Sequence, residues 1–204
     1  MTIRLHKGDL PADIGFSGAV AIDTETLGLN PLRDRLCLVQ LSAGDGTADV
    51  VQIAAGQKAA PRLAALLADT SVTKIFHFAR FDIAVLEHAL GVMAQPIFCT
   101  KIASRLTRTY TDRHGLKDLA KELLDVDLSK QQQSSDWAAA TLSEAQVAYA
   151  ASDVLYLHAL RDKLTQRLER EGRLALAEDC FRFLPTRARL DLLGWGEEDI
   201  FAHS

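Results

Sequence analysis

Two acids stand one residue apart in Asp23-Thr24-Glu25, where the apolar run AVAID reaches its polar end. Side chains alternate across a strand, so Asp23 and Glu25 share one face while Ile22 and Thr24 take the other. Neighbouring carboxylates repel unless a cation lies between them, and the hard ions Mg2+ and Mn2+ take oxygen ligands. A solvated acidic turn carries the same pattern. Asp82 follows KIFHF in FHFARFD; it suits either such a site or the first turn of a helix, where an acid meets free N–H groups. His77, at the same strand end, fits a core histidine or a substrate contact. Further on, Tyr149 and Asp153 lie four residues apart, which puts phenol and carboxylate about one turn apart on one helix face. Tyr156 and Leu160 continue that side as an apolar stripe, leaving Asp153 an acid within it. A buried charge needs a partner, and no Lys or Arg occupies adjacent turns of that face before Arg161. A metal ion shared with Asp23 and Glu25 would meet the need. Four carboxylates can hold two divalent ions about 3.5–4 Å apart, the arrangement used for in-line displacement at phosphorus. The tyrosine would orient the attacking water or receive its proton.

The elements that must position these groups follow from pattern. Residues 19–23 (AVAID), 36–42 (LCLVQLS) and 48–53 (ADVVQI) are short and apolar, separated by Gly28, Asn30 and Pro31 and then by Gly44, Asp45 and Gly46. Three strands on short loops predict an antiparallel meander. A helix over 61–68, a strand over 74–78, a helix over 81–90 and a brief strand at 97–98 follow, which describes a mixed sheet with helices packed on it. From Lys101 the chain reads as helical. Residues 143–170 read as one long helix opened by a Ser143/Gln146 capping box. The polar stretch QQQSS at 131–135 reads as an exposed loop.

The chain has 204 residues, 48% hydrophobic and 25% charged, the balance of one folded domain and not of a disordered chain. A formal net charge of −4 lacks the basic excess of a protein that grips long nucleic acid through many phosphates, although a substrate with one or two phosphates needs none. Cys37, Cys99 and Cys180 are widely spaced, with no CxxC pair; neither a disulfide framework nor a zinc cage is indicated, and a reducing cytoplasm is expected. The opening MTIRLHKGDL has no apolar signal core, and no run reaches membrane length, so a soluble, non-secreted protein is expected.

The segments DTETLGL, HFARFD and YAASD, in that order on a strand-rich start and helical end, resemble the three exonuclease motifs of the DEDD superfamily in its tyrosine (DEDDy) branch. LCLVQLS, CTKIASRL and SKQQQSSDW extend the similarity to ribonuclease D over most of the chain. The resemblance implies an α/β, RNase H-like (DEDD exonuclease) fold, with a mixed central sheet flanked by helices and a helical C-terminal half. It also implies two-metal hydrolysis, with Mg2+ or Mn2+, that removes nucleotides from a 3' end. By residue, Asp23, Glu25, Asp82 and Asp153 match the metal-binding acids, and Tyr149 matches the water-orienting tyrosine.

The ending FLPTRARLDLLGWGEEDIFAHS, with TRTYTDRHGL and KQQQSSDW, is more similar to the short nano-RNase C oligoribonucleases than to ribonuclease D with its added helical domains. That resemblance implies a preference for very short RNA, down to dinucleotides, some activity on DNA, and a homo-oligomer in the form of an octameric ring. Leu29 stands where oligoribonucleases place a leucine wedge between two bases, though a buried turn leucine fits as well. Lys130 and the 131–135 loop with Gln133 would take a 5' phosphate, or form an ordinary solvated loop. Thr26 and His77 complete the candidate substrate contacts, and Trp137 reads as a packing anchor. Within a single 1–204 exonuclease domain, residues 172–204 concentrate Phe181, Phe183, Leu184, Leu193, Trp195, Ile200 and Phe201; an extension this apolar must be covered, and self-assembly is expected.

Three other functions fit less of the sequence. Processing of longer RNA, or of single-stranded DNA, would use the same chemistry. An aspartyl phosphatase wants D-x-D, and here the second acid is Glu25. An inactive RNA-binding module would have lost site acids, yet all four and the tyrosine are present.

Overall fold

A strand that is apolar at almost every position needs cover on both faces, and LCLVQLS receives it. In the computed structural model, which describes residues 2–129, 131–132 and 134–203, β3 (Leu36–Ser42) is buried at all seven positions. It lies inside a six-stranded sheet of order β1-β4-β3-β2-β5-β6. β2 (Ala19–Thr26), β3 and β4 (Thr47–Gln52) form the expected antiparallel meander. β5 (Thr73–Phe76) and β6 (Ile97–Cys99) then run parallel to β2, making the sheet mixed. β1 (Thr2–Lys7) adds a parallel edge beside β4. Sequence reasoning missed this strand because TIRLHK is polar and mostly exposed, and its partner lies about 45 residues away in sequence: Arg4 is opposite Asp49 and forms a bidentate ion pair with it.

Seven helices are present among the described residues. α1 (Pro61–Ala68) begins with proline in its first turn and has no cap from its own segment; instead the Asp9 carboxylate accepts from the Arg62 and Leu63 N–H groups. That supplies the orphan donors of a helix start from a distant loop. α2 (Ala79–Leu90) crosses from β5 to β6, and α3 (Thr100–Thr107) and α4 (Leu116–Leu124) follow. The expected single helix over 143–170 is two: α5 (Glu144–Leu155), with its capping box in place, and α6 (Leu157–Arg170), broken at Tyr156. The break lets each half meet a different partner, since α5 lies across β1–β4 while α6 packs on α3, α4 and β5.

α7 (Leu174–Leu192) packs on α2 and β6. It splits the expected apolar extension: Phe181 and Leu184 enter the core, with Phe181 against Phe98 at 4.8 Å between centroids, while Phe183, Leu193, Trp195, Ile200 and Phe201 remain exposed. The three cysteines are free thiols. No helix among the described residues is long and apolar enough to cross a membrane.

Candidate active site

Strand alternation places the first acids. At the end of β2, Thr24 points toward α2, where its hydroxyl donates to Asp82 Oδ1 at 2.7 Å. Asp23 and Glu25 therefore point the other way, toward α5, whose Asp153 meets them. Carboxylate oxygens of Asp23, Glu25 and Asp153 all lie within 4.8 Å of one another. The structure thus gathers three of the four predicted acids into one cluster, and it holds the buried Asp82 behind them on the Thr24 hydroxyl.

The electrostatics of this cluster are unfavourable as they stand. Burial pushes Glu25 up to about 9, helped by the charges of Asp23, Asp153 and Asp82. Asp153 rises to about 8 through burial and the Asp23 charge, and Asp23 to about 7 through burial. Asp82 is raised well above the carboxylate range by burial first and Asp23 second. Among the described residues, none of the four forms a salt bridge with Lys, Arg or His. Clustered acids without a cationic partner are the donor set that suits hard divalent ions.

Tyr149 lies one turn before Asp153 and lines the same cleft of about 340 Å³. Burial and the charges of Asp153, Glu25 and Asp23 keep its phenol above the ordinary tyrosine range, hence protonated at neutral pH. Behind it Trp137 is buried with its ring 6.0 Å from the Tyr149 ring, the packing role read from sequence. His77 also lines the cleft, with Nδ1 2.9 Å from Thr100 Oγ1, and burial together with Lys101 pushes it down to about 3, so it is neutral.

The loop after β2 is tightly built. Asn30 N–H donates to Asp34 Oδ2 at 2.9 Å, and Asn30 Oδ1 accepts from the Leu32 and Arg33 N–H groups at 3.0 and 3.2 Å. Thr26 gives its hydroxyl proton to Gly28 O at 2.5 Å, so its first duty is to the loop. On this frame Leu29 is 86% exposed, which removes the buried-turn alternative. Leu29 lines a groove of about 430 Å³ bounded by α2 on one side and by Asp191, Gly196 and Glu197 on the other. Lys130 and Gln133 lie outside the described residues.

Sequence reasoning missed Phe78, Lys101 and Lys117. Phe78 is 45% exposed, adopts a left-handed backbone with φ of 70°, and borders both the carboxylate cleft and the Leu29 groove. Lys101 lies 4.3 Å from its ring centroid, a cation–π distance. No periodic pattern marks these positions; a bulky residue at positive φ shows only in the backbone.

Residues 9–169 match the 3'-5' exonuclease family. The chain belongs to the ribonuclease D family of 3'-5' exonucleases. Ribonuclease D of Gluconacetobacter diazotrophicus is 40% identical over 155 residues, which cover 76% of this chain and 39% of that protein. The chain therefore spans about two fifths of the length of the curated ribonuclease D relatives it matches. NrnC of Brucella melitensis, solved with bound Mg2+, is 69% identical with a TM-score of 0.96, and its complex with pGG is 71% identical with a TM-score of 0.97; each alignment covers 100% of both chains. Escherichia coli RNase D, an exoribonuclease involved in structured RNA processing, is 31% identical with a TM-score of 0.76 over 85% of this chain and 45% of that one. The ribonuclease D fold is thus the DEDD exonuclease fold expected from sequence, and metal dependence goes with the family.

Proposed function

We propose that this exonuclease hydrolyses short RNA oligonucleotides, down to dinucleotides, from the 3' end to nucleoside 5'-monophosphates. The observation that carries the reading is the meeting of Asp23, Glu25 and Asp153 within 4.8 Å beside Tyr149 in one cleft. Asp23, Glu25, Asp82 and Asp153 would hold two divalent ions, Mg2+ or Mn2+. When bound, such ions activate an attacking water and steady the leaving 3' oxygen. Tyr149, kept as a neutral phenol, orients that water through its hydroxyl and does not act as a strong base. His77, being neutral, adds no charge to the cleft and offers a ring nitrogen to a sugar hydroxyl. Lys101 and Lys117 on the cleft wall supply positive charge for one or two phosphates.

The length preference rests on Leu29. An apolar side chain on a braced loop, with Phe78 exposed between the two cavities, provides surfaces against which base faces stack regardless of sequence. Thr26 supports the substrate by holding this loop, and Lys130 with Gln133 would meet the 5' phosphate. The Brucella relative bound to pGG is in keeping with this reading. Self-assembly through the exposed Leu193, Trp195, Ile200 and Phe201 belongs to the same proposal, as a ring of subunits.

Turnover of a 5'-phosphorylated dinucleotide, a 20-nucleotide RNA and a single-stranded DNA should be compared at equal concentrations with Mg2+ and with Mn2+. The dinucleotide is expected to be cut fastest, and Asp23→Asn to remove activity on all three. Equal rates at every length would overturn the short-substrate reading and leave the processing function of longer ribonuclease D proteins as the better one.

A further inference from the structure

Gln40 lies at the centre of β3 and is fully buried, yet neither its amide nitrogen nor its amide oxygen has a hydrogen-bond partner among the described residues. Burying both ends of an amide without partners is costly, and replacing such a group by an apolar one of the same shape is neutral or stabilising. A core position therefore has no use for glutamine unless something recruits it. The register shows what is near. Gln40 is paired directly with Asp23 across the antiparallel β2–β3 ladder. Paired residues project to the same face with Cβ atoms about 4.5–5.5 Å apart, so Gln40 faces the acid cluster and α5, away from Asp82. A glutamine side chain spans that gap.

We infer that Gln40 is a positioning residue for Asp23: its amide N–H donates to a carboxylate oxygen of Asp23 and sets the direction in which that ligand faces a cation in the cluster. The inference rests on the proposed role of Asp23 as a cation ligand. Glutamine suits the task because it is neutral. A Lys or Arg at this position would orient the carboxylate but also neutralise it and compete with the ion, whereas an amide donor fixes its direction and leaves its charge available. The polar group is then retained at the expense of the stability of the cation-free protein.

The test uses Gln40→Met, which keeps side-chain length and removes both polar ends, beside Asp23→Asn and the unchanged chain. Mn2+ alone is titrated into each by calorimetry, and melting is recorded without metal. Gln40→Met is expected to bind Mn2+ about 10–100-fold more weakly, with a melting temperature equal to or a few degrees above that of the parent, and to lose kcat more than KM. Unchanged Mn2+ affinity would overturn the inference. So would a lower melting temperature, because the amide would then be serving the fold. Asp23→Asn is expected to lose Mn2+ binding; if it does not, the reading of the acid cluster fails instead, a result distinct from failure of the Gln40 inference.

Discussion

At the residue scale the site is a set of acids held in a state they would not choose in water. In an unfolded chain Asp and Glu titrate near 4, whereas folding raises Asp23 to about 7, Asp153 to about 8 and Glu25 to about 9. Between roughly pH 4 and 9 the metal-free native state therefore binds more protons than the unfolded state, and its stability falls as pH rises through that window. Melting of the metal-free protein at pH 5, 7 and 9 should show a decreasing Tm, and Mg2+ should restore Tm most at pH 9. Asp153→Asn should flatten this dependence. A Tm that rose with pH would contradict the assignment of these shifts. The phenol is a separate matter. Tyr149→Phe keeps the packing against Trp137 and removes only the hydroxyl, so kcat on a dinucleotide should drop by about 100-fold or more while KM stays within about twofold.

At the element scale, the cleft depends on how neighbouring pieces are braced. Arg108, at the end of α3, is 1% exposed and pairs with Glu122 of α4, donating also to Ser104 Oγ at 3.0 Å and to the Arg113 carbonyl at 2.6 Å. This knot shapes the turn that brings Gly115, Leu116 and Lys117 to the cleft wall. Glu122→Ala leaves a buried guanidinium without its carboxylate; because Glu122 itself is partly exposed and Arg108 keeps two other acceptors, the cost should be about 1–2 kcal/mol in a denaturant titration. Arg80 of α2 ties the last turn of α7 and the chain just beyond it in the same manner, bonding both oxygens of Asp191 at 2.6 and 2.7 Å and the Gly196 carbonyl at 2.7 Å. Since Asp191 and Gly196 form the far wall of the Leu29 groove, Arg80→Ala should speed amide exchange in residues 193–203. It should also raise KM for a dinucleotide several-fold, with kcat changed less. Exchange protection equal to that of the parent would show that the wall is held by other contacts.

At the scale of the whole molecule, the exposed Leu193, Trp195, Ile200 and Phe201 call for cover. Light scattering after gel filtration should give a mass several times that of one chain. Trp195→Ser with Phe201→Ser should lower it, since both remove exposed apolar area without touching the core. Activity on the dinucleotide should fall with the mass if neighbouring subunits shape the groove.

How much of this was legible in the sequence varies with the range of the interaction. The acids and the tyrosine could be read because strand alternation and the helical four-residue step are local geometry, already written into Asp23-Thr24-Glu25 and the Tyr149-to-Asp153 spacing. The meander, the helix at 61–68 and the capping box at Ser143 were legible for the same reason. Tertiary structure alone decided that β1 joins the sheet, that α5 and α6 part at Tyr156 to pack on different partners, and that α1 is capped by Asp9. It also decided that Leu29 is exposed, that Phe78 turns left-handed beside it, and that Gln40 is set across from Asp23. Each of these depends on residues distant in sequence meeting at contact distance, and periodicity along the chain holds no record of where the chain returns.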